Sequence, residues 1–203
     1  MASRSQAPAS RNRGEDTFWG RLSPLARHGM CLGFFLAVAM AFYAPVLFQG
    51  KAIGGPDKIS YLANAEVLIE HRTETGEQAL WNPNVFGGMP AFMISYKQAV
   101  PQLDTVINAV RQVAWPVGHS ILLMFGVYLL VFYLTRDHFS GLLSGIAFGF
   151  TTYLPIILAV GHGSKFAALA YAPYVLLAFV YTLRNPSLLG GLLFAAILAV
   201  ELR

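Results

Sequence analysis

The chain has 203 residues, of which 56% are hydrophobic and only 12% are charged. This composition excludes an ordinary soluble domain, which could not bury so much apolar surface, and it is typical of membrane proteins. The formal net charge of +4 is not concentrated in a basic stripe with interleaved aromatic residues, so we expect no nucleic-acid partner. The single cysteine, Cys31, lies in an apolar run and leaves no cysteine pair for a disulfide or a metal.

The N-terminal segment, residues 1–28, is rich in Ala, Ser, Arg and Gly and has little to bury, which predicts a disordered tail. Basic residues flanking a membrane span favour the cytoplasmic side. We therefore expect this tail to be cytoplasmic, because it contains five arginines before residue 28: Arg4, Arg11, Arg13, Arg21 and Arg27.

The next segment, residues 29–49, is an apolar run without a charged residue and is long enough to cross a bilayer as the first transmembrane helix. Residues 50–115 then hold six of the ten acidic residues, and we predict an extracytoplasmic loop. Within this loop, segments 59–72 and 101–115 carry apolar residues at the helical period, which predicts short amphipathic helices.

The remaining part, residues 116–203, predicts transmembrane helices 2 to 5, of which the last is too short to cross a bilayer and is expected to be incomplete. In the third span Gly141, Gly145 and Gly149 are spaced by four, which favours close approach of a neighbouring helix. The predicted fold is an all-α polytopic membrane protein with four to five transmembrane helices and a long outer loop containing short amphipathic helices.

Three polar stretches fall on one predicted face of the membrane. Asp57 follows the first span and a Gly-Gly-Pro turn, so its carboxylate is expected just above the bilayer. It is a candidate site residue, and the alternative is an ordinary solvated turn aspartate. The three stretches are GGPDK at 54–58, WNPNVFGGMP at 81–90 and GHGSK at 161–165.

The GHGSK stretch places a polar cluster between the third and fourth spans. Gly161 and Gly163 allow a ligand to approach the backbone, and His162, Ser164 and Lys165 suit a phosphate group. The alternative is that Lys165 merely extends to the water at the membrane surface.

Other kinds of functional site leave no signal in the sequence. There is no nucleotide-binding glycine loop, no metal-binding motif and no Ser-His-Asp set, so we predict no cofactor and no metal site. A transporter or channel is a weaker interpretation, because the candidate spans contain almost no ionisable residues before Glu201.

The order of these motifs resembles the N-terminal part of YfhO-type bacterial membrane proteins over about residues 29–203. The resemblance is carried by an aspartate in the first outer loop, by LWNPNVFGGMPAF at 80–92 and by GHGSK. YfhO-type proteins are similar to GT-C glycosyltransferases, polytopic enzymes that take a sugar from a polyprenyl-phosphate carrier. The resemblance implies the bacterial inner membrane, with membrane lipids and the lipid-linked sugar as partners.

The resemblance also implies roles for individual residues. It makes Asp57 the candidate catalytic carboxylate and assigns the carrier phosphate to His162, Ser164 and Lys165. It adds Trp81, Asn82 and Phe86 as candidate substrate contacts in a loop that closes over the site, where aromatic rings stack on a sugar. A rigid structural plug is the alternative for this loop.

The length departs from the family, because YfhO-type proteins carry many more spans. We therefore expect the 203-residue chain to be a catalytically incomplete front end of such an enzyme. The alternative is a non-enzymatic accessory subunit of a larger bacterial membrane complex, with the glycine face of the third span packed against another membrane subunit.

Overall fold

The computed structural model describes residues 18–95 and 115–201, and helices dominate it. The helices are α1 (Phe18–Arg21), α2 (Pro24–Phe42), α3 (Ala44–Phe48), α4 (Pro56–Thr75), α5 (Val117–Thr135), α6 (His138–Gly149), α7 (Tyr153–Val160), α8 (Gly163–Arg184) and α9 (Leu188–Glu201). A small antiparallel hairpin pairs β1 (Trp81–Asn82) with β2 (Met89–Pro90), and a 3-10 turn follows at Ala91–Met93. The predicted amphipathic helix at 101–115 lies outside the described residues except for Trp115.

Four segments are long and apolar enough to cross a membrane. They are α2, α5, the 23-residue segment His138–Val160 formed by α6 and α7, and α8. Helix α9 is also apolar but has only 14 residues, fewer than the roughly 20 that span the hydrocarbon core. The predicted all-α polytopic membrane fold is confirmed.

The first span begins earlier than the apolar run suggests. Helix α2 begins at Pro24, where the Ser23 hydroxyl accepts a hydrogen bond from the Ala26 amide at 3.2 Å. Proline is favoured at this first helical position, since its missing N–H has no partner there. Much of segment 18–28, predicted to be disordered, is therefore helical.

Two prolines divide spans that the sequence analysis treated as continuous. A proline ring clashes with the carbonyl four residues before it. Accordingly, α2 ends at Phe42, and α3 begins with Pro45 in its first turn. The third span is divided in the same way, and Pro155 lies in the first turn of α7.

Helix α5 is central and packs against α2, α6 and α8. Short turns at both ends make neighbouring spans antiparallel. Thr135–His138 connects α5 to α6, and we call this side of the bundle the Asp137 end. Gly161 and His162 connect α7 to α8 on the opposite side, which we call the Gly161 end.

The turn at the Asp137 end is fixed by a helix cap. The Asp137 carboxylate accepts hydrogen bonds from the Phe139 amide at 3.3 Å and the Ser140 amide at 2.8 Å. The Ser140 hydroxyl donates a third bond at 2.6 Å. These hydrogen bonds, that of the Ser140 hydroxyl first, hold the pKa of Asp137 below its usual value, so the cap stays ionised at neutral pH.

The glycine face of the third span is covered within the chain. A Cβ on Gly141 would lie 2.8 Å from the Tyr128 ring, and one on Gly145 would lie 2.7 Å from the Met124 carbonyl oxygen. A Cβ on Gly149 would overlap the Met124 side chain. This face therefore packs on α5, and it is not open to another membrane subunit as the accessory-subunit alternative supposed.

We predict that Gly145→Ala lowers the melting temperature of the detergent-solubilised protein. The new methyl group has to displace α5 backbone, and overpacking of this kind costs about 1–3 kcal/mol. Gly33→Ala is the matched control, because a Cβ there meets nothing within 4 Å. Its stability should stay equal or rise, since alanine favours helix over glycine by up to about 1 kcal/mol. Equal melting temperatures for the two variants would contradict this packing.

Candidate functional site

The site is built where α4 begins on top of α7. Gly55 precedes α4, is buried, and lies so close to α7 that an added Cβ would overlap the carbonyl groups of Ala159 and Val160. Gly161 has a φ of +107°, and a Cβ there would lie 2.8 Å from the Lys58 amide nitrogen. Both contacts are backbone on backbone, so they need glycine.

This docking brings Asp57 to His162. The His162 Nε2 atom lies 3.1 Å from the Asp57 Oδ2 atom, across more than 100 residues of sequence. The Nε2–H group donates to the carboxylate, and the contact becomes an ion pair when the imidazole is protonated. Both side chains are about half exposed, at 49% and 50%, so the pair adds little to stability and leaves its atoms accessible.

The pair lies at the wall of a cavity of about 650 Å³. Its size falls in the range of small-molecule sites. The described residues that line it come from α4, α7 and α8 and from the segments just before α4, α5 and α8: Ile53, Asp57, Lys58, Tyr61, Leu62, Trp115, Leu158, Gly161, His162, Gly163, Ser164 and Lys165.

Positive charge exceeds negative charge among these lining residues. The described lining contains two lysines, Lys58 and Lys165, and one carboxylate, that of Asp57. His162 adds a positive charge when it is protonated. The cavity also meets the first turn of α8, which has no side-chain cap, and the N-terminus of a helix carries partial positive charge. The lining therefore suits an anion, and a phosphate above all.

The rest of the lining is apolar or aromatic. Tyr61, Leu62 and Leu158 contribute this surface to the same cavity. The Trp115 ring packs on Gly163, where an added Cβ would lie 3.1 Å from it, and its centroid lies 5.8 Å from that of Phe166. A ligand that carries both a phosphate and an apolar or sugar group matches this mixture.

The structure brings together four of the seven predicted catalytic and substrate-binding residues. Asp57, His162, Ser164 and Lys165 all line the cavity, although they come from stretches about 100 residues apart. The predicted substrate contacts Trp81, Asn82 and Phe86 are not among its described lining residues.

The hairpin residues are held to α4 instead. The buried Asn82 side chain donates from Nδ2 to the Asn64 carbonyl at 2.7 Å and accepts from the Asn84 amide at 3.0 Å. Trp81 is 56% exposed and packs over Gly88, and Phe86 is 94% exposed with a positive φ of 52°. Asn82 therefore fixes the hairpin on α4, and the roles of these three residues as substrate contacts stay a prediction.

Sequence reasoning missed Lys58, Tyr61 and Trp115 as lining residues. Tyr61 follows Asp57 by four residues, and both lie on one face of α4. The predicted helix over 59–72 began after Asp57 and so did not show this. Lys58 directly follows Asp57 in the sequence, and a cation next to a candidate site residue could have been recognised as part of the site. Trp115 has no local signal, because its place at the cavity depends on packing against α8.

Within residues 18–95 and 115–201, no group of three or more His, Cys, Asp or Glu side chains is arranged to hold a metal ion. Comparisons with protein families, with curated proteins and with solved structures find no match to this chain. The chemistry of the site is therefore argued from its own residues.

We predict that Gly55→Ala separates the start of α4 from α7. A methyl group has no room beside the carbonyls of Ala159 and Val160, so amide hydrogen exchange of residues 57–62 should accelerate at least tenfold. Gly54→Ala is the matched control, since a Cβ on this adjacent glycine meets nothing within 4 Å. Unchanged exchange in Gly55→Ala would show that α4 is not docked in this way.

Proposed function

We propose that this chain binds a phosphate-linked lipid at the Gly161 end and belongs to a YfhO-type system that transfers sugar from a polyprenyl-phosphate carrier. One observation carries the proposal. The Asp57–His162 pair, Lys58 and Lys165 share one cavity beside the ends of membrane-spanning helices. A carrier whose long apolar chain lies in the membrane would place its phosphate near these helix ends.

The lysines would act on the phosphate. Transfer breaks the bond between the sugar and the phosphate oxygen, and negative charge then collects on the departing phosphate. Lys58, Lys165 and the first-turn amides of α8 would stabilise this charge, as fixed donors do in other transferases.

Asp57 would act on the acceptor. The acceptor hydroxyl attacks the anomeric carbon, and its proton passes to the carboxylate as the new bond forms. His162 holds one carboxylate oxygen, Oδ2, at 3.1 Å. It would act as a positioning residue that orients the Asp57 carboxylate.

We also propose a location in the bacterial cytoplasmic membrane, with the N-terminus in the cytoplasm and the Gly161 end outside. The arginines before residue 28 support this orientation. Arg136 and Arg184 support it as well, because both follow or end spans at the Asp137 end.

A second candidate function is a non-enzymatic subunit that binds the lipid phosphate without transferring sugar. The half exposure of Asp57 and His162 favours it, because an open site does not exclude water from reacting groups. Here the chain would present the carrier to a partner. The exposed leucines of α9, Leu188, Leu189 and Leu192, are available as a contact surface.

For the enzyme, we predict that Asp57→Asn lowers sugar transfer by about 10²–10⁴-fold, the range for loss of a general base. The measurement is glycan analysis of cells in which the chromosomal gene carries the variant. Glu66→Gln, which removes an exposed carboxylate from the same helix, is the matched control and should leave the glycans unchanged. Unchanged glycans in Asp57→Asn would remove the catalytic assignment.

For either function, we predict that Lys165→Gln weakens binding of a short isoprenyl phosphate about tenfold or more. A hydrogen bond to a charged group contributes about 1.5–3 kcal/mol, and Lys165 supplies one such donor. The measurement is titration of the detergent-solubilised chain with the isoprenyl phosphate. Lys51→Gln, an exposed lysine that does not line the cavity, should bind as the wild type does. Equal affinity of the two variants would mean that Lys165 only extends to water.

A further inference from the structure

The Asp137 end carries a second cavity of a different kind. It has a volume of about 350 Å³ and lies between α5, α8 and α9. Its described lining is nearly all apolar or aromatic and includes Tyr133, Leu177, Tyr181, Leu193 and Ile197. Nothing in this cavity takes part in the site at the Gly161 end.

Two arginines lie close to one aromatic ring that lines this cavity. The guanidinium carbon of Arg136 lies 5.4 Å from the centroid of the Tyr133 ring, and that of Arg184 lies 5.3 Å from it. Tyr133 in turn contacts Tyr181, with ring centroids 6.2 Å apart. The ring holds both cations through cation–π attraction, and it also lines the cavity.

Within residues 18–95 and 115–201, neither arginine pairs with a carboxylate. The contact of this kind recorded there is between Asp57 and His162. Asp137 is next to Arg136 in sequence, but its carboxylate is committed to the cap of α6. Two exposed guanidinium groups thus lie near the same ring, and no carboxylate among the described residues pairs with either of them. Their planar donors match the oxygens of a phosphate.

We propose that this cavity binds an anionic phospholipid, with its phosphate between Arg136 and Arg184 and an acyl chain along the groove between α5, α8 and α9. The groove is open among helices that are apolar enough to lie in a bilayer, so a lipid chain is the apolar group available there. A zwitterionic lipid brings its own cation, which the two arginines repel. Basic residues above a groove between helices are a recognised arrangement for anionic headgroups.

The test is lipid retention measured by native mass spectrometry of the full chain in mild detergent, with phosphatidylglycerol or phosphatidylcholine added. The wild type should retain phosphatidylglycerol preferentially. Arg184→Gln should weaken this retention about fivefold, the effect of about 1 kcal/mol for one basic residue at a lipid surface. Arg21→Gln is the control of equal charge, an exposed arginine that is not one of the two held at the Tyr133 ring. Arg136→Gln repeats the test if Arg184→Gln does not fold.

A second arm separates the groove from the charge. Ala178→Phe fills the groove and leaves both arginines in place, so it should also reduce retention of phosphatidylglycerol. Glycerol 3-phosphate, which has the phosphate but no acyl chain, should not compete. Equal retention of the two lipids by the wild type, or equal retention by Arg184→Gln and Arg21→Gln, would overturn the proposal.

Discussion

The close approach of α4 to α7 is the contact on which the candidate site depends. Gly55 lies against the last carbonyls of α7, and Gly161 lies against the Lys58 amide. These contacts leave no room for a side chain, so they fix the first turn of α4 above the turn that precedes α8. Asp57 reaches His162 because of this backbone geometry, and the half-exposed pair adds little energy of its own.

The packing of the membrane-spanning helices positions α7 for this contact. Helix α5 packs on three other helices, and the glycine face of the third span lets that span lie directly on it. The two ends of the bundle then differ in chemistry. The Gly161 end has a mixed polar cavity with an excess of cations, and the Asp137 end has an apolar groove under two arginines. We propose that both ends bind lipid phosphates, a phosphate-linked lipid at the Gly161 end and an anionic phospholipid at the Asp137 end.

The fold class and part of the site followed from sequence for clear physical reasons. Spans are set by runs of apolar residues, and Asp57 and the GHGSK stretch both border such runs on the same side. Sequence did not locate the helix breaks, because a proline does not always end a helix: helices break near Pro45 and Pro155, whereas α8 continues through Pro173. It also could not separate a ligand contact from a structural one. The side-chain amide of Asn82, predicted as a substrate contact, holds the hairpin on α4, and sequence alone does not reveal that bond.

The central claim is that the cavity around Asp57 and Lys165 receives a phosphate-linked lipid. Photo-crosslinking tests it most directly, with the chain in nanodiscs, an isoprenyl phosphate that carries a diazirine next to its phosphate, and mass-spectrometric mapping of the labelled peptides. Our account predicts label in residues 53–62 and 161–165, and loss of that label when unlabelled isoprenyl phosphate is added in excess. Label that falls only elsewhere in the chain, or that the excess ligand does not reduce, would contradict it.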